Sequence, residues 1–326
     1  MKPTLKGQCD RFIENRDVVK SCFSMESSYL YPICAAIIAD RDMRADPERL
    51  KRCKDLLKAQ TGVFSQFRGN PRLAMIALMS VDSNPALRLS NAQQVYDHLK
   101  DYFSGSAYLC VAAMVISDLV DPGYYKQMAE HTRHIYGLLK SKHPFLTGAE
   151  DSVFSALLAV SKKTDERIVQ ETEECYRLLK ERFSSGNALQ SLSHVLALCE
   201  GKAEEKCAAT VSLFNELKDR GCAYGTGFEL PTLGVLAMVP ADRQELVQDV
   251  LDVDAYLSQK KGYGVFGVGK KQRLMHASMI VTGAHMRHCA MELASSHRAL
   301  ALIAAQQAAL CAAIAAASAT AITAAT

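Results

Sequence analysis

The sequence predicts an all-α protein of about seven α/α hairpins, wound as a superhelical solenoid or closed as an α/α toroid, with an Ala-rich helix at its C-terminal end. Three observations carry this. A unit of about 40 residues recurs along most of the 326-residue chain. Each unit opens with an apolar block and closes with a charged segment whose apolar residues fall at helical spacing. No segment alternates with a period of two; Tyr263 to Val268 comes nearest, and its glycines argue for a loop.

The apolar blocks come first. They run from Ala35 to Ala39, Ile76 to Met79, Ala112 to Ile116, Ala156 to Val160, Val195 to Leu198, Val235 to Val239 and Ala277 to Val281. A helix that is apolar nearly all round is buried on most sides, so these are the inner helices. The charged segments end near Leu57-Lys58, Leu99-Lys100, Leu139-Lys140, Leu179-Lys180, Leu217-Lys218 and Leu257-Ser258. Glu171 to Lys180 shows their pattern, a charged face over an apolar stripe, which fits an outer helix lying on an inner one. One hairpin cannot bury its apolar face alone; stacked neighbours do so.

The tail departs from this pattern. Residues 1–294 read as the repeat domain and 295–326 as a separate Ala-rich helical segment. From Ala299 onward there is no charge, but Gln306-Gln307 interrupts the run and Ala adds little to membrane insertion. The expectation is a small-residue helix packed on the repeat or on a second copy (self-association through 299–326), with membrane association or a partly disordered tail as the alternatives.

Composition excludes more than it assigns. The formal charge of +3 is small, with no basic stripe, so nucleic acid is a poor partner. Eleven cysteines are scattered, several in apolar blocks (Cys34, Cys110, Cys199, Cys289), without paired CxxC spacing. That pattern fits free thiols in a reducing cytoplasm and gives no zinc site. Met1 to Gln8 holds no apolar run of signal-peptide length, so export by that route is not expected.

The breaks between hairpins concentrate the unusual residues. Gly69, Gly105, Gly148, Gly186, Gly227 and Gly269 precede most inner helices and are expected to end the outer helices in left-handed caps. If inner helices start at one rim, their N–H groups would favour an anionic ligand or acidic peptide there. Arg68, Arg72, Lys270, Lys271 and Arg273 lie in those breaks, which makes Arg68, Arg72, Lys270 and Arg273 candidate ligand-binding residues. Gly262 to Gly267 fits GxGxxG and Gly264 to Lys270 fits GxxxxGK, but Lys271 stands where a P-loop needs Ser or Thr, and no strand precedes.

His194 and His276 hold equivalent places one residue before their apolar blocks, with Gln190 and Gln272 four positions earlier. The other repeats carry Cys34, Met75, Val111, Ser155 and Gly234 there. Gln190, His194 and His276 therefore join the candidate ligand-binding set if this position faces a groove; no spacing of the HExxH kind supports a metal, and partly buried histidines are the plainer reading. Asp151 and Glu229 sit at inner-helix starts. A carboxylate pair of this kind serves glycosidases as acid and base, whereas helix capping is the ordinary explanation. No Trp is present to stack on a sugar.

Several blocks together are specific: Gly62 to Gly69, Leu189 to Leu198, Leu230 to Ala237, and Ala304 to Ala309 in the tail. They resemble a bacterial family of uncharacterised proteins, domain of unknown function 4003, found mostly in Gram-positive bacteria. The resemblance runs over nearly the whole chain, tail included. It implies a cytoplasmic protein and brings no established activity, cofactor or catalytic residue.

Three functions follow as expectations. The first is a binding or scaffold module using the concave, inner-helix surface for an anionic ligand, peptide or protein. The second is an α/α-toroid enzyme acting on a carbohydrate or other polar small molecule, with Asp151 and Glu229 as acid and base and His194 and His276 in support. The third is a tail-anchored, membrane-associated protein. Fold alone does not choose among them.

Overall fold

The computed structural model describes residues 1–161, 163–184, 186–263, 267–293 and 297–323. Within them the chain forms fifteen α-helices and no strand. The inner helices are α2 (Leu30–Asp40), α4 (Arg72–Ser80), α6 (Ala107–Leu119), α8 (Asp151–Val160), α10 (Gly186–Leu198), α12 (Leu230–Met238) and α14 (Lys270–Leu293). Each carries one of the seven apolar blocks, with Val239 standing just past the end of α12. The charged helices are α1 (Pro3–Cys22), α3 (Pro47–Gln60), α5 (Pro85–Lys100), α7 (Tyr125–Lys142), α9 (Asp165–Leu179), α11 (Ala203–Asp219) and α13 (Arg243–Ser258), with α15 (His297–Thr323) last.

The chain divides into two compact units. One comprises Met1–Ile13 and Gln170–Leu310, the other Glu14–Val169 and Cys311–Thr326. In the second unit, α2 packs on α4 and α6 on α8; in the first, α10 packs on α12 and α12 on α14. Outer helices pack likewise, α3 on α5, α5 on α7 and α11 on α13. The closest hairpins differ from the expected unit. Outer helices α3, α5, α7, α11 and α13 each lie most fully against the inner helix that follows. Helices α4 and α6 thus each have an outer helix on both sides, which fits their being apolar nearly all round. Ala113 of α6 and Ala197 of α10 are both fully buried. In α12, a Cβ on Gly234 would stand 2.5 Å from the Leu192 side chain of α10, so the missing side chain lets these two inner helices approach.

Helix starts follow local chemistry. Asp46, Asn84, Ser106 and Asp242 each accept a backbone N–H from the first turn of α3, α5, α6 and α13, and proline occupies a first-turn position in α3, α5 and α12. The glycines are a correction. Gly69, Gly105, Gly148, Gly227 and Gly269 do not adopt the left-handed conformation; Gly201, Gly221 and Gly262 do. Gly221 closes α11, with its N–H on the Lys218 carbonyl and the Cys222 N–H on that of Leu217 at 2.8 Å. The expected positions sit too close to the following helix and serve its entry instead.

In the tail helix α15, Leu302, Ala305, Ala308, Ala309, Cys311, Ala313 and Ile314 are buried. Among the described residues, no helix is long and apolar enough to cross a membrane. Ten cysteines are described and all are free thiols, nine of them buried and Cys22 partly exposed.

Candidate functional site

The candidate carboxylates turn towards loops. Asp151 is the first residue of α8, and its Oδ2 accepts the Gly148 N–H at 2.8 Å. It is 3% exposed, and burial pushes its carboxyl up to about 7, partly opposed by the Gly148 hydrogen bond. Glu229, just before α12, accepts the Gly227 N–H at 3.1 Å and is 5% exposed. A Cβ on Gly225 would overlap its carboxylate, so a side chain there would displace Glu229. Both carboxylates thus hold the entry of an inner helix. They fall in different units, Asp151 in the second and Glu229 in the first.

The histidine position is interior. His194 is fully buried on α10, with buried Gln190 one turn earlier. His276, on α14, is 3% exposed and shares a 3.0 Å hydrogen bond between Nδ1 and the Tyr263 hydroxyl. Phe12 lies 6.2 Å from its ring. Cys34, Met75, Val111 and Ser155, at the equivalent place, are buried as well. The position is buried in each of these helices.

Arg68, Arg72, Lys270 and Arg273 each have an internal partner. Arg68 donates to Thr61 Oγ1 at 3.0 Å and to the carbonyls of Lys58 and Thr61, closing the end of α3. Lys270 donates to the Gly221 carbonyl at 2.8 Å, beyond α11. Arg273 grips both oxygens of Asp254, at 2.7 and 3.1 Å, and that carboxylate raises its pKa. Arg72 pairs with Glu26 at 2.7 Å but keeps a half-exposed guanidinium. Lys271 is exposed. Residues 264–266, inside the two glycine motifs, lie outside the described residues.

The opposite ends of the inner helices carry what the sequence reading missed. Arg88, the fourth residue of α5, is buried, donates to the Leu78 carbonyl at 2.6 Å and pairs with Asp118. Burial pushes Asp118 up and Arg88 down against their mutual attraction. Lys206, the fourth residue of α11, is 2% exposed, donates to the Cys199 carbonyl at 3.0 Å and pairs with Glu171 at 2.8 Å. The device is the same in each unit: a buried cation one turn into an outer helix meets the carbonyl end of the preceding inner helix, where the helix dipole favours positive charge. The one local signal was a basic residue four places into each of these two outer helices.

Beside Lys206 lies a cavity of about 220 Å³. Ala237, Met238 and Leu302 form its apolar wall, and Glu200 and Glu205 its acidic side. A third grouping joins α13 to α14: Glu245, Asp249 and His285, with Lys2, just before α1, bonded to both carboxylates.

These features define a helical protein of alternating buried and charged helices, with internal ion pairs at both ends of its inner helices. The chain belongs to the family described as protein of unknown function (DUF4003), whose model matches residues 15–308. It is also similar to the uncharacterized protein YeaA of Bacillus subtilis strain 168, at 22% identity over 228 residues that span 67% of each chain. No solved structure matches it significantly.

Proposed function

We propose that this protein is a binding module, an α/α repeat in solenoid or toroid form, whose ligand site is the cavity at the carbonyl ends of α10 and α12. The cavity is the observation that carries this reading: it has an apolar wall for a hydrocarbon part and carboxylates for a polar part. Helix C-termini add partial negative charge. Lys206, the cation in its wall, is already held by Glu171 and the Cys199 carbonyl. The field in the cavity therefore favours a small organic cation, free or as a Lys or Arg side chain of a peptide.

Titration calorimetry with agmatine tests this. Saturable binding to the full chain is expected, with loss in Ala209→Trp, which fills the cavity, and weakening in Glu205→Gln. Absence of saturable binding, or indifference to Ala209→Trp, overturns it.

A second reading keeps an anionic ligand at the starting ends of the inner helices. Arg72 favours it, being half exposed at the first residue of α4. Inorganic phosphate binding that Arg72→Ala abolishes would move the site there. The enzyme reading has less support, since a general acid must reach its substrate and Asp151 is 3% exposed.

A further inference from the structure

We propose that Glu245, Asp249 and His285 form a site for a divalent first-row transition metal ion, with the Lys2 ammonium as its resident competitor. The site is separate from the cavity and independent of the binding-module reading.

Glu245 and Asp249 stand one turn apart on the same face of α13, and His285 approaches from α14. One donor atom from each residue lies within 4.8 Å of the others. His285 Nε2 is 2.9 Å from Asp249 Oδ2. An ion at the ordinary ligand distance of about 2.0–2.2 Å reaches all three after small side-chain rotations. Two carboxylate oxygens and one imidazole nitrogen suit manganese, iron, cobalt or zinc, whereas calcium and magnesium prefer oxygen alone.

The burial pattern fits a site with one fixed ligand and one open side. The Asp249 side chain is 6% exposed, His285 17% and Glu245 41%. Protein donors would thus fill the inner positions and water the outer ones. Lys2 shows that the place already attracts a cation. Its ammonium hydrogen-bonds Glu245, which lowers the Glu245 pKa, and lies 3.5 Å from Asp249. Its stem is half exposed, so it can swing into water when a more strongly charged ion arrives.

Equilibrium dialysis of the full chain against manganese(II), read by electron paramagnetic resonance, tests the site. Manganese avoids thiols, so the eleven cysteines do not compete. One saturable ion per chain is expected. His285→Ala should weaken it by at least about tenfold, the lower bound for removing even an outer-shell partner. Lys2→Met should strengthen it several-fold, because the competitor is gone. Zinc should displace the manganese, being higher in the affinity order. His285 is partly exposed, so its variant should keep the wild-type helical circular dichroism, which is recorded alongside. No saturable manganese, binding unaffected by His285→Ala, or binding weakened by Lys2→Met each overturns the proposal.

Discussion

Replacing Asp151 with Asn should change how stability depends on pH. In the folded chain the carboxyl is raised from 3.8 to about 7, chiefly by burial. Between those values the folded state holds a proton that the unfolded chain has released, so stability falls as pH rises. The contribution is complete below about pH 4 and gone above about pH 7. The shift of about 3 units corresponds to about 4 kcal/mol at 1.36 kcal/mol per unit. The amide that replaces the carboxyl cannot ionise, and its carbonyl oxygen can still accept the Gly148 N–H. Asp151→Asn should therefore gain on the wild type progressively from pH 4 to pH 7 and stay level above it. With a urea slope of about 3 kcal/mol/M, the difference between the two midpoints should change by about 1.3 M across that range. Urea unfolding followed by circular dichroism at unit steps of pH reads it directly. A difference that stays flat from pH 4 to pH 8, or that shrinks with rising pH, refutes the account of Asp151 as a buried, protonated loop anchor.

The remaining predictions concern packing and thiols. Lys206→Met removes the ammonium from buried Glu171 and should cost about 3 kcal/mol, most of it recovered in Lys206→Met/Glu171→Leu. A single-variant loss below about 1 kcal/mol in urea would show that the pair is not desolvated. Gly234→Val should cost about 1–3 kcal/mol by forcing α10 and α12 apart, read as a lower melting temperature. Under native conditions, thiol titration of Cys22→Ser should show one fewer fast-reacting group than wild type, since the other nine described cysteines are buried.

How much was legible depended on whether the signal was local. The seven apolar blocks located all seven inner helices, because a helix buried on most sides carries its burial in its own composition. Leu57-Lys58 and its counterparts fell within three residues of the ends of α3 to α13. Helix α1 was missed. Its buried stripe of Leu5, Cys9, Phe12, Arg16 and Val19 is masked by Lys6, Asp10, Arg11, Glu14 and Asp17 between them. The glycines marked the breaks correctly but not their conformation, since glycine takes either sign of φ. The site was the least legible part. Arg72 and Arg273 looked available because Glu26 lies 46 residues from the first and Asp254 lies 19 from the second. The Lys206 and Glu171 pair, 35 residues apart, follows no helical spacing rule either.

The docking of the first helix has a consequence for synthesis. Lys2 finds Glu245 only across 243 residues of chain. At about 5–20 residues per second, that partner emerges roughly 12–50 s after Lys2. Throughout that interval Leu5, Cys9 and Phe12, all buried in the finished unit, have no α13 or α14 to cover them. The first helix made is thus among the last to be sheltered, and a chain cut short before Arg243 would display that greasy stripe permanently.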